Sequence, residues 1–170
     1  MDILKAATDW AKDELFSTPF FILFGVVFVM ASIAFWQLGK TEMARAYIIP
    51  TLVAGILLMT IGIGLYYTNV QRVKQFEIDF NEDSSSFVKS EIARAESTLK
   101  EYQNIVFTGI PIIIIACALA ILFFNSPIWR ASLITGIAML VVILLVDGTA
   151  HSRIEAYYKK LQNVELPPEN

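Results

Sequence analysis

Three ionisable side chains step by four residues near the end of the chain, at Asp147, His151 and Glu155. On a helix this spacing places them on one face, so they form a candidate functional polar cluster. One hypothesis makes Asp147 a proton- or cation-binding group, with His151, the only histidine, as its partner. The alternative, which we favour, is that Asp147 pairs with His151 or with an arginine of a neighbouring helix and marks the edge of a bilayer.

The sequence offers little further chemistry. One imidazole with one or two carboxylates is too small a ligand set for a metal site. No Gly-rich phosphate loop, nucleophile elbow or Cys-x-x-Cys pair is present, and the single cysteine, Cys117, excludes an intramolecular disulfide. We therefore predict no catalytic residues, no cofactor and no metal.

The elements that would position the polar cluster are four apolar helices. The chain is 56% hydrophobic and 17% charged, with a mean hydropathy of +0.59, which is typical of a bilayer-embedded protein. A helix rises about 1.5 Å per residue, so roughly 20 residues cross the hydrocarbon core of a bilayer. We predict an all-α integral membrane four-helix bundle, a single domain over residues 1–170, whose spans cover residues 19–38, 46–70, 105–124 and 128–147.

The polar segments beside these spans also have helical patterns. Residues 1–16 and 69–80 each keep one apolar face, and residues 87–104 carry a heptad-like apolar seam. We expect this seam to pack on other helices of the same chain, with Glu91 and Arg94 forming a pair on the exposed face. Residues 81–86 form a predicted turn, and their serines are expected to cap the next helix.

These polar helices also supply the candidate interaction surface for a partner. Its members are apolar or aromatic side chains of the seam and of the helix that follows the fourth span: Val88, Ile92, Leu99, Tyr102, Ile154 and Tyr157.

The two halves of the chain resemble each other, which indicates an internal duplication. The first helix-plus-hairpin repeat covers residues 1–80, the joint 81–86 and the second repeat 87–166. Chance similarity between two helical hairpins is the alternative. Both halves have a proline at the head of a span, an aromatic pair at its end and an Arg-Ala that opens the next span: Pro19 and Pro111, Phe35-Trp36 and Phe123-Phe124, Arg45-Ala46 and Arg130-Ala131.

Charge distribution predicts the orientation. The two short loops between spans hold Lys40, Arg45 and Arg130, and the other side holds the remaining ten of the 13 basic residues. By the positive-inside rule both termini and the helical extensions are cytoplasmic, in the plasma (inner) membrane.

Three function classes are compatible with this pattern. The first is a non-enzymatic interaction or accessory protein, or an immunity-type protein, that binds a partner in the membrane or at its cytoplasmic face. The alternative is a small channel or transporter subunit that forms its pore as a homo-oligomer. The third, a lipid-acting membrane enzyme that uses Asp147 and His151, has the least support. The net charge of −3 argues against a nucleic-acid partner, which leaves the lipid bilayer and a protein or a second copy.

Overall fold

The computed structural model describes residues 3–163, and this part of the chain is helical throughout, with no strand. Four helices are long and apolar enough to cross a membrane, which confirms the predicted all-α class and the four apolar helices. The last residues of the predicted second repeat, 164–166, lie outside the described residues. In chain order the elements are α1 (Ile3–Leu38), α2 (Glu42–Ala46), α3 (Ile48–Glu82), α4 (Ser84–Glu101), a π-helical segment (Tyr102–Gly109), α5 (Ile110–Phe123) and α6 (Pro127–Gln162).

The turn between α3 and α4 is capped differently from our prediction. The Asp83 carboxylate accepts hydrogen bonds from the backbone N–H groups of Ser85 and Ser86, both at 3.0 Å, so Asp83 is the N-cap. The serines therefore lie in the first turn of α4 and do not cap it. An acceptor-only carboxylate satisfies two free donors at once and carries a charge that favours the helix N-terminus.

The polar parts of the four long helices pack against one another. We call this packed region, residues 3–17, 69–82, 84–101 and 147–162, the polar layer. Its centre combines small and large apolar side chains from all four long helices. The buried members are Ala7, Trp10, Ala11, Phe76, Phe87, Val88, Ala95, Ile154, Tyr157 and Leu161.

The predicted seam of α4 packs inside this layer, as expected. Val88 is 1% exposed and Ala95 is fully buried, because the facing helices cover that side of α4. The exposed-face prediction was wrong for Glu91, whose residue is only 5% exposed. Glu91 lies three residues after Val88 and four before Ala95, so it shares the buried face of α4 with them.

The apolar half of the molecule is held mainly by close packing of α1 on α3. A Cβ added to Gly55 would lie 2.8 Å from the Gly25 carbonyl oxygen, and one added to Gly25 would lie 2.9 Å from that of Gly55. The two backbones therefore touch at this crossing, a contact that only glycine permits. Leu58, fully buried, joins Phe21 and Val142 in a small core that links these helices to α6.

The third apolar helix, α5, lies at the edge of this arrangement. It packs on α6 and on the π-helical segment, and it forms no packed interface with α3 within residues 3–163. Most of its side chains face outward, as at Leu122, which is 72% exposed. The bundle is therefore open on the side between α3 and α5.

Candidate functional site: a cavity at the junction of the polar and apolar halves

The structure gives the three members of the predicted polar cluster different surroundings. The His151 ring contacts the edges of Tyr102 and Phe107, with centroid distances of 5.6 and 4.9 Å. Glu155 is partly exposed and accepts a hydrogen bond from Lys159 Nζ at 2.6 Å. Asp147 lines an internal cavity. Among residues 3–163 no group of three or more His, Cys, Asp or Glu side chains could hold a metal ion.

This cavity, which we call the junction cavity, has a volume of about 240 Å³ and lies between all four long helices. Its apolar end is formed by Phe21, Leu65 and Val146. Its polar end carries charged, amide, hydroxyl and indole groups from every long helix, at Trp10, Glu14, Ser17, Thr18, Asn69, Arg72, Arg94, Thr98, Glu101, Tyr102 and Asp147. The cavity therefore joins the polar layer to the apolar half.

Trp10 forms one wall and is in contact with an aromatic ring and a cation. Its ring stacks on Tyr157 with centroids 5.3 Å apart, and the Arg94 guanidinium lies 4.4 Å from the ring centroid. A cation over an aromatic face is attracted by the ring quadrupole. The indole nitrogen is buried and has no hydrogen-bond partner within the described part of the chain. Trp10 thus keeps an unused donor in a region where buried polar groups are normally satisfied.

Glu91 ties the aromatic wall to the charges. Both of its carboxylate oxygens accept hydrogen bonds from Arg94, with Arg94 Nε at 2.8 Å, and one also accepts from the Tyr157 hydroxyl at 2.8 Å. A bidentate Arg–carboxylate pair is among the stronger polar contacts in proteins. Burial, followed by the nearby Glu91 charge, raises the pKa of Tyr157, so this phenol stays protonated as a donor.

A second ion pair connects α1 to α6. Arg153 donates to Glu14 Oε1 at 3.0 Å and to Ser17 Oγ at 2.7 Å. Glu14 precedes the predicted span 19–38 and is largely buried. Burial raises its pKa above the ordinary value of 4.5, and Arg153 opposes this by stabilising the carboxylate. The pair holds the second half of the chain against the first.

Two partly buried charged groups of the cavity have no ion pair within residues 3–163. Arg72 donates to the Asn69 side-chain oxygen at 3.1 Å and lies 5.8 Å from the Trp10 ring centroid, but no carboxylate of residues 3–163 lies within 4.0 Å of it. Asp147 has neither a hydrogen bond nor an ion pair within the same residues. In this structure Asp147 therefore pairs neither with His151 nor with an arginine, in contrast to the pairing that we favoured from the sequence. One cation and one anion thus face a common cavity.

The residues of the candidate interaction surface lie mostly inside the protein. Ile154 and Tyr157 are 1% and 2% exposed, and Val88 is equally buried, while Ile92, Leu99 and Tyr102 pack against the same core. The apolar faces that predicted a docking surface bind one another within the chain. In this structure Val88, Ile154 and Tyr157 are not accessible to a partner, and Ile92, Leu99 and Tyr102 are only partly exposed.

Sequence reasoning missed most of the cavity. In the sequence Glu14 and Glu91 look like ordinary charges on amphipathic helices. Only their helical spacing from apolar neighbours could have indicated that they are buried. Glu14 continues the stripe of Ala7, Trp10 and Ala11 by a further helical turn. The chain matches no protein-family model, no curated protein sequence and no solved structure. Its function is therefore argued from this geometry.

Proposed function

We propose that this chain is a four-span protein of the plasma (inner) membrane, built from two duplicated helical hairpins with the polar layer and both termini in the cytoplasm. The charge asymmetry of the sequence supports this orientation. Matching hydrogen bonds support the duplication: Arg45 Nε donates to the Gly39 carbonyl at 3.1 Å, and Arg130 Nε donates to the Phe124 carbonyl at 3.0 Å. Each arginine reaches back six residues to the end of the preceding apolar helix.

Within that membrane, the protein acts by binding a partner, as an accessory or immunity-type protein, and not by catalysis. Apart from Asp147, the ionisable side chains of the site that could react serve internal contacts. Glu14 pairs with Arg153, and Glu91 pairs with Arg94. His151 packs between aromatic edges. This use of the reactive groups favours a binding role over the lipid-acting enzyme that Asp147 and His151 could otherwise serve.

The observation that carries the proposal is an apolar groove of about 420 Å³ between α3 and α6. Val53 and Ala54 line one side, and Ser132 and Gly136, one helical turn apart, line the other. A Cβ added to Gly136 meets no atom within 4 Å. Paired small residues let another helix approach closely in a membrane, and the space beside Gly136 is not filled by the described chain. The occupant that fits is a membrane-spanning helix of a partner protein.

The test is purification from native membranes in mild detergent, comparing the wild type with Gly136→Leu and Gly64→Leu. Gly64 is the matched control, because it also has open space around its Cβ but lies outside the groove. A companion protein present in stoichiometric amount with the wild type and Gly64→Leu, and lost with Gly136→Leu, supports the proposal.

Two other results would contradict it. A homo-oligomer that Gly136→Leu dissociates would mean that a second copy fills the groove, as the alternative of a channel or transporter subunit requires. A chain that alkaline carbonate extracts from the membrane fraction would overturn the membrane placement itself.

A further inference from the structure

The junction cavity combines one unpaired cation with one unpaired anion. Arg94 and Arg153 have their carboxylates in Glu91 and Glu14, so Arg72 is the cationic member left over. Asp147 is the anionic member, and Glu101, also in the lining, is exposed and accepts a hydrogen bond from Ser97 Oγ at 3.4 Å. Partly buried charges without partners are costly. The pattern therefore fits a ligand that carries both a negative and a positive group.

The size and the ends of the cavity fit a headgroup. At about 240 Å³ it is smaller than the roughly 300–1,000 Å³ of pockets that enclose a whole small molecule. One end is polar and the other is apolar, with Phe21, Leu65 and Val146. A lipid matches this division, because its headgroup is polar and its chains are not.

The open side of the bundle provides room for the chains. α3 and α5 form no packed interface within residues 3–163, and the cavity is lined by α3 and by Tyr102 of the π-helical segment that leads into α5. The exposed lining residues Leu65 and Glu101 belong to α3 and to α4, and α4 continues through the π-helical segment into α5. A lipid lying in the bilayer can reach the cavity laterally through this open side.

We propose that the junction cavity binds the zwitterionic headgroup of an aminophospholipid, with its phosphate at Arg72 and its ammonium group at Asp147. Guanidinium groups bind phosphate with directed hydrogen bonds, and Arg94 adds positive charge on the same side. The free indole N–H of Trp10 is a further donor for the phosphate. The acyl chains run between α3 and α5. This site rests on the proposed membrane placement but does not require the protein partner.

The charge pattern predicts which headgroups are rejected. Phosphatidylglycerol has no cation for Asp147. Phosphatidylcholine has a cation without N–H donors, so it cannot donate hydrogen bonds to that carboxylate. Phosphatidylethanolamine satisfies both groups. Specificity of this kind comes from the polar groups that the wrong ligand leaves unpaired.

The test uses detergent-purified full-length protein carrying Trp36→Phe and Trp129→Phe, which leaves Trp10 as its only tryptophan. Its fluorescence is titrated with phosphatidylethanolamine, phosphatidylcholine and phosphatidylglycerol of identical acyl chains. We expect phosphatidylethanolamine to bind about tenfold more tightly than the other two, the factor for roughly one charge-assisted hydrogen bond. Arg72→Gln and Asp147→Asn should each remove this preference, and Arg130→Gln, in the first turn of α6 and outside the cavity, should keep it.

Equal binding of the three lipids to the wild type would overturn the proposal without recourse to any variant. Equal binding of water-soluble phosphoethanolamine and of the lipid would overturn the lipid assignment, because the acyl chains would then contribute nothing. A chain that behaves as an integral membrane protein but shows no headgroup preference refutes this inference alone. A chain found outside membranes refutes the proposed function as well.

Discussion

The two hairpins have similar sequence patterns but pack differently. In the first, α1 and α3 meet backbone to backbone at Gly25 and Gly55. In the second, α5 contacts α6 through one face, and no pair of glycines draws the two helices together: Gly136 of α6 has open space where a Cβ would lie. The first hairpin therefore stabilises the fold, whereas the second leaves apolar surface and a side opening available for other membrane components.

The largest effect on the stability of the first hairpin is expected from Gly55→Leu. Its Cβ would lie 2.8 Å from the Gly25 carbonyl oxygen and 2.7 Å from Val29 Cγ2, so the helices must separate. We expect a loss of about 3 kcal/mol in the free energy of unfolding, or failure to fold, which is the upper range for overpacking. Thermal unfolding in detergent measures it, with Gly136→Leu as the control that stays near wild type. Similar losses for both variants would mean that the two hairpins are equally packed.

A smaller effect is expected from truncating leucine in each hairpin. Leu58→Ala removes a fully buried side chain, while Leu122→Ala removes one that is 72% exposed. The first should lower the free energy of unfolding by about 2–3 kcal/mol through lost contacts and a residual cavity, and the second by less than about 0.5 kcal/mol. Chemical denaturation in mixed micelles compares them. A cost for Leu122→Ala close to that of Leu58→Ala would show that α5 is packed against another surface.

The link between the hairpins gives the next prediction. Arg153→Gln leaves the largely buried Glu14 without its cation and should cost about 2 kcal/mol at neutral pH, less than a fully buried pair because both groups are partly exposed. Arg72→Gln, which breaks no ion pair, should cost less than about 1 kcal/mol in lipid-free detergent.

The Arg153→Gln deficit should also depend on pH. Burial raises the pKa of Glu14, so the folded variant takes up a proton more readily than the unfolded chain. The deficit is therefore largest above the folded pKa and shrinks as the pH falls through it towards the ordinary value of 4.5. Unfolding curves at neutral pH and near the lower value test this. A deficit that is independent of pH would mean that lost packing, and not charge, is the cause.

Sequence patterns predicted the long helices well because hydrophobic periodicity can be read from residues that are close together along the chain. The four apolar helices and the inward seam of α4 follow from that local signal. The junction cavity does not, because its charges come from four helices and their pairing depends on how the helices rotate. Glu91 illustrates this: it pairs with Arg94 as its spacing predicts, but on the buried side and with Tyr157, 66 residues away. Asp147 was found because an acid at the end of an apolar run is conspicuous by itself.

The smallest effect tests the one feature that the hairpins share. Arg45 and Arg130 each donate to a carbonyl at the end of the preceding helix, at 3.1 and 3.0 Å. Arg45→Ala and Arg130→Ala should therefore cause equal losses of about 0.5–1 kcal/mol, the value of one hydrogen bond near the surface. Lys40→Ala, an exposed change in the same loop as Arg45, is the control for lost charge. If only Arg45→Ala reduces stability, the two turns differ in energy as well as in packing, and the proposed duplication loses its geometric support.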